Sequence, residues 1–147
     1  MKTSKVLLVV LLAIGFVVGI HGSALGATQA PCVAPVSRIS TTTAQLEIFV
    51  DGEQQVIPAG IGIVGDQVGP ASTVDCSGTI QVSAFEPVSL SSFFMAWGVD
   101  FSSSNIGAHY AAKDVEVYVN GAKQNVCPGS VELRPGLRIT LLVQTER

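Results

Sequence analysis

Histidine is nearly absent from this chain. Of the two histidines in 147 residues, His21 lies close to the N-terminus and His109 stands alone in the remainder. A zinc or copper centre ordinarily draws on two or more imidazole or thiolate ligands, so a single imidazole leaves little from which to build one. A serine hydrolase would need His109 as its base, and no Gly-x-Ser-x-Gly elbow occurs in the sequence. Basic residues are equally scarce. Beyond Gly26 the chain carries 6 basic and 11 acidic residues, a formal charge of −5, and no two basic residues are adjacent. A nucleic-acid partner needs a concentrated basic surface, so that class is set aside. Paired carboxylates add nothing catalytic: Asp51 with Glu53, and Asp114 with Glu116, sit at strand ends, where solvated charges are the ordinary finding.

One apolar run is long. Val6 to Ile20 spans 15 residues behind Lys2 and Lys5 and gives way to His21-Gly22-Ser23. It matches a signal-peptide core and falls short of the roughly 20 residues that cross a bilayer as a helix. Ala24-Leu25-Gly26 places small residues where a signal peptidase reads, which puts the cut after Gly26 and the mature start at Ala27. The alternative is an uncleaved membrane anchor. A lipid-modified cysteine does not fit, because Cys32 follows Pro31 rather than a small residue directly after the apolar run. The chain therefore divides into residues 1–26 as signal or anchor, 27–41 as an extended linker containing Pro31 and Pro35, and 42–147 as one domain.

Export implies an oxidising compartment, and Cys32, Cys76 and Cys127 make an odd count there: one bridge and one spare thiol. Cys76 and Cys127 both lie inside the expected folded region, so the expected bridge is Cys76 to Cys127. Cys32 to Cys127 is the competing pair.

The domain reads mostly as sheet. Leu46-Glu47-Ile48-Phe49-Val50 alternates, with Leu46, Ile48 and Val50 on one face, and ends in the hairpin signal Asp51-Gly52, with a return strand through Gln55-Val56-Ile57. Val115-Glu116-Val117-Tyr118-Val119 repeats the pattern and ends in Asn120-Gly121. Gly78 to Phe85 alternates as a further strand that Pro87 ends. Ser89 then caps a short helix in which Leu90, Phe93, Phe94 and Trp97 fall at i, i+3, i+4 and i+7, with Gly98 placed to terminate it. These four residues are the expected core plug over one face of the sheet. Asp100 to Gly107 reads as a loop. Val131-Glu132-Leu133, a turn at Arg134-Pro135-Gly136 and a final strand Leu137 to Val143 close the chain, with Leu142 breaking the polar side of that strand. The expected class is α+β: a small mixed or antiparallel sheet of about five to seven strands, one short covering helix, and a β-grasp-like arrangement.

Gly60-Ile61-Gly62-Ile63-Val64-Gly65 spells G-x-G-x-x-G, but Asp66-Gln67-Val68-Gly69-Pro70 continues as loop and no helical period follows. A dinucleotide site needs that loop to open a helix, so the segment reads as a turn or edge strand.

At Leu46 to Gly52, Ile57-Pro58-Ala59-Gly60-Ile61-Gly62-Ile63, Leu90 to Gly98 and Val117-Tyr118-Val119-Asn120-Gly121 the chain resembles a family of uncharacterised exported or membrane-anchored bacterial proteins. That family carries a Pro-Ala-Gly-Ile-Gly-Ile segment, a His-Thr-His-Asp stretch with another histidine on the next strand, a Phe-Phe-x-x-Trp-Gly helix and a Tyr-Val-Asn-Gly hairpin. Around Asp75 and Ser77-Gly78, this sequence has Ser72, Val74 and Gln81 where the family has histidines. The resemblance implies a retained scaffold without those ligands.

The functional expectation is an exported, non-enzymatic domain without cofactor, in the periplasm, outside the cell or at the outer face of the cytoplasmic membrane. It is either a partner-binding module or an accessory subunit of a membrane complex, touching the membrane only if Val6 to Ile20 is retained. The alternative is a copper- or zinc-handling protein akin to the histidine-bearing relatives.

Overall fold

The computed structural model describes Cys32, residues 42–83 and residues 85–146. The apolar run Val6 to Ile20, the cut after Gly26 and, Cys32 apart, the linker 27–41 lie outside the described residues. In chain order the elements are β1 (Thr43–Val50), β2 (Glu53–Gln55), β3 (Ile63–Val64), β4 (Gln67–Val68), β5 (Ala71–Thr73), β6 (Thr79–Val82) and β7 (Val88–Ser89). They continue with α1 (Leu90–Trp97), β8 (Asn105–Ile106), β9 (His109–Tyr110), β10 (Glu116–Val119), β11 (Ala122–Gln124), a 3-10 turn at Pro128–Ser130, β12 (Glu132–Leu133) and β13 (Arg138–Val143). No helix among the described residues is long and apolar enough to cross a membrane.

The two hairpin turns organise the sheet. Asp51 and Gly52 have φ of 51° and 87°, and Asn120 and Gly121 have 50° and 81°, the double left-handed geometry that tight two-residue hairpins require. Each turn also clips one end of β13. The Asp51 amide donates to the Val143 carbonyl while its carboxylate accepts from the Thr145 amide at 2.9 Å. At the other end the Asn120 amide donates to the Arg138 carbonyl, and the Asn120 side-chain oxygen accepts from the Arg138 amide at 2.9 Å. The repeated sequence pattern thus places one hairpin on each side of the last strand. β1 runs parallel to β13 and β10 antiparallel to it.

The result is a seven-stranded mixed sheet in the order β11-β10-β13-β1-β6-β5, with β2 also paired to β1. Along β1, β6 occupies residues 43–45 and β2 residues 48–50. The class is α+β, as the pattern of elements implies.

Alternation decides which face is buried. Ala44, Leu46, Ile48 and Val50 of β1 and Ile139, Leu141 and Val143 of β13 enter the core with Ile80, Val82 and Val117. Against them lies α1. Ser89 caps it by accepting from the Ser92 amide at 3.2 Å, and Gly98 ends it in the left-handed region at φ 76°. Leu90, Phe93 and Phe94 are fully buried, and Trp97 packs on the core edge partly buried. Phe94 stacks on Phe101 at 4.1 Å between centroids and on Trp97 at 5.4 Å.

Three sequence expectations change. First, the bridge is Cys32–Cys76, with Cα atoms 4.9 Å apart, and Cys127 is unpaired and exposed, so the expected Cys76–Cys127 bridge is not formed. The strand order supplies the reason. Cys76 lies in the connection between β5 and β6 at one side of the sheet and Cys127 follows β11 at the other, four to five strand spacings or roughly 20 Å away. A disulfide spans less than about 7 Å between Cα atoms. Second, the expected turn or edge strand at Gly60 to Gly65 gains a specific role: the segment turns, enters β3 at Ile63–Val64 and covers the edge of β5. The Gly60 amide donates to the Thr73 carbonyl, and the Thr73 amide to the Ile61 carbonyl. A Cβ on Gly62 would sit 2.1 Å from the Ala71 carbonyl oxygen, so only glycine permits that approach. Third, Asp100 to Gly107 is not all loop, because Asn105–Ile106 pairs with His109–Tyr110 as a small hairpin.

Candidate functional site

On the face of the sheet opposite α1, β1, β13 and β10 carry half-buried or exposed side chains, whereas Ser72 and Gln81 on the same face of β5 and β6 are buried, and the arrangement follows from register. Phe49 of β1 is the direct partner of Leu142 on β13, with Gln54 beyond Phe49 and Glu116 beyond Leu142. One step along, Glu47, Thr140, Tyr118 and Lys123 form a second row across β1, β13, β10 and β11. Phe49 and Leu142 are half-buried and line a shallow, mainly apolar depression of about 260 Å³ with Gly52, Val143 and Gln144. An apolar pair is therefore set in a polar and charged surround.

That surround is internally bonded. Lys123 Nζ donates to Glu116 Oε1 at 2.6 Å, and the Tyr118 hydroxyl donates to Glu116 Oε2 at 3.0 Å. The hydrogen bond from Lys123, then that from Tyr118, holds the Glu116 carboxyl below its ordinary value, and the same bonds raise Lys123 and Tyr118 above theirs. Arg138 lies 3.9 Å from Glu47, which also accepts from Thr140 at 3.4 Å. These exposed pairs fix side-chain positions more than they stabilise the fold. They keep a balanced set of charges around the apolar pair.

The other sequence-predicted residues fall elsewhere. Leu90, Phe93, Phe94 and Trp97 belong to the core side. His109 is on the exposed hairpin β8–β9 and borders an apolar cleft of about 220 Å³ with Trp97, Val99 and Val56. Ser72 and Gln81 face each other directly across β5 and β6, both buried, and Val74 follows β5. Two of the positions to which the sequence resemblance assigns histidines are thus neighbours in space. Here the Ser72 hydroxyl makes no hydrogen bond, and no cluster of three or more metal-ligating side chains occurs among the described residues. Asp75, beside the bridge, accepts from the Ser77 hydroxyl and amide, and these bonds hold its carboxyl below its usual range. Cys127 opens onto a groove of about 590 Å³ beside β11.

Sequence reasoning did not single out Phe49 and Leu142 as a pair. Each is an apolar residue on the polar side of its strand, which was the available signal, but only the parallel pairing of β1 with β13 brings them together. No protein-family model, curated protein or solved structure matches this chain.

Proposed function

We propose that this chain is an exported, non-enzymatic binding or accessory domain that meets a protein partner, such as a subunit at the outer face of a membrane complex, through the open face of its sheet. One observation carries the reading: the half-buried pair Phe49 and Leu142, framed by Glu47, Arg138, Glu116 and Lys123, has the apolar centre and charged rim of a recognition surface. The Cys32–Cys76 bridge supports export, since such bonds persist in oxidising compartments, and Val6 to Ile20 supplies the targeting segment. The strand order β2-β1-β13-β10-β11, with the first and last strands parallel at its centre and α1 between the two hairpins in sequence, supports a β-grasp-like reading of the fold. β5 and β6 would then be additions beside β1.

The test is a pair of variants, Phe49→Glu and Leu142→Glu, in cells that express the full chain. Both are expected to leave the thermal midpoint nearly unchanged, because each side chain is only half-buried, and to abolish co-purification with membrane subunits at fixed ratio. Retained co-purification in both variants defeats the assignment of this face.

A further inference from the structure

The edges of the seven-stranded sheet are treated unequally. At β5 the outward groups of Thr73 are taken by Gly60 and Ile61, so that edge is closed. At β11 nothing comparable happens. Val119 and Ala122 flank the two-residue turn and Val117 opposes Gln124, so Ala122 and Gln124 point their backbone groups at β10. Lys123 and Asn125 consequently point theirs outward, and no backbone hydrogen bond meets them among the described residues. Past Gln124 the chain bends at Val126 before Cys127, at φ −60° and ψ 124°.

Open edges are ordinarily blunted by shortness, a lysine, a proline, a bulge or a covering segment, and of these β11 has shortness, at three residues. Here the one lysine on the edge, Lys123, is neutralised by Glu116 of its own sheet, and proline arrives only at Pro128. From this geometry we infer that β11 is a self-association edge at which a second copy of the chain adds its own β11 antiparallel, joining two sheets into one. Charge selects the occupant. The groove beside β11 carries Lys113 and Lys123 against Asp114 and Glu116, a balanced set, so that a two-fold axis brings like copies together without net repulsion. The edge at β2 lacks this balance, because Glu53 is the one charged residue on that strand and self-pairing there brings two glutamates together. Pairing Lys123 with the partner copy's Asn125 centres the axis on Gln124. Counted in register the two Cys127 residues are about six residues apart, and each lies past the bend at Val126, so the strand pairing does not set the two thiols opposite one another. The dimer is therefore held by backbone hydrogen bonds and survives reductant. This surface is separate from the open face and does not depend on its role.

Sedimentation velocity of the full chain in reductant, with amide hydrogen exchange at rising concentration, tests the inference. The mass is expected to double, and exchange at Lys123 and Asn125 to slow in step with it. Lys123→Pro and Asn125→Pro each remove an outward N–H that the β10 ladder does not use, and are expected to return the mass to one chain, whereas Gln54→Pro on the other edge leaves the dimer intact. A chain that stays at single mass with fast exchange at both amides overturns the inference. So do folded Lys123→Pro and Asn125→Pro variants that dimerise like the unaltered chain, and so does a foreign protein that protects the same amides while this chain remains single. Should the proline variants fail to fold, the exchange of the two amides in the unaltered chain decides alone.

Discussion

Replacing Phe94 by alanine removes the centre of the aromatic cluster that joins α1 to the sheet and to Phe101. Phe94 is 1% exposed, and its ring stacks on Phe101 at 4.1 Å and on Trp97 at 5.4 Å while Phe93 meets it edge-on at 6.0 Å. A buried Phe→Ala change costs about 3–5 kcal/mol, through lost transfer energy and the cavity left behind. Three aromatic partners, each worth roughly 0.5–1.5 kcal/mol beyond area burial, place this site toward the upper end. A domain of this size is stable by about 5–15 kcal/mol, so the variant is expected to fold with little in reserve. For a loss of 4 kcal/mol the thermal midpoint falls by roughly 15–30 °C. The assay is built into the chain, since Trp97 is its single tryptophan and borders the substituted ring. Urea unfolding followed by Trp97 emission gives the loss directly. Met95 is one residue away but 80% exposed, so Met95→Ala is the control and shifts stability by no more than about 0.5 kcal/mol. A Phe94→Ala loss below about 1 kcal/mol would refute the packing described for α1.

Two further expectations concern the cysteines and the charged rim. Without reductant, iodoacetamide is expected to modify Cys127 alone, and intact mass after reduction is expected to gain two hydrogens and to report the start of the mature chain; modification of Cys32 or Cys76 would contradict the bridge. Cys76→Ser opens a closed loop with a sequence separation of 44, which the chain-entropy account values at up to about 4 kcal/mol, measurable as a shift in urea midpoint. Because Lys123 and Tyr118 depress the Glu116 carboxyl in the folded state, their contribution is present above the unfolded glutamate value and is lost as pH falls through the folded one. The group is exposed, so the readout is its carboxyl chemical shift rather than stability. Its midpoint is expected below that of an ordinary glutamate and to rise in Lys123→Ala; no rise would remove the ion pair from the description.

Local chemistry made much of this fold legible. Asp51-Gly52 and Asn120-Gly121 specify tight hairpins because both turn positions need positive φ, and the spacing of Leu90, Phe93, Phe94 and Trp97 admits only a helix with one apolar stripe. β5 left no such trace, since Ala71, Ser72 and Thr73 are all buried and a strand covered on both faces does not alternate. The cysteine pairing was illegible for a different reason. It depends on the order of strands across the sheet, which puts Cys127 at the far side from Cys76, and no local pattern encodes that order. The candidate site falls between these cases. Phe49 and Leu142 were each visible as apolar residues on a polar side, and the non-local pairing of β1 with β13 made them a surface.

The most direct test of that surface is site-specific photo-crosslinking in cells expressing the full chain, with the reactive residue at Phe49, at Leu142, or at Met95 on the opposite side. Binding through the open face predicts one discrete protein adduct from positions 49 and 142 and none from position 95. An adduct from Met95 alone, or none from Phe49 and Leu142 while the folded chain is present at the same level, would contradict it.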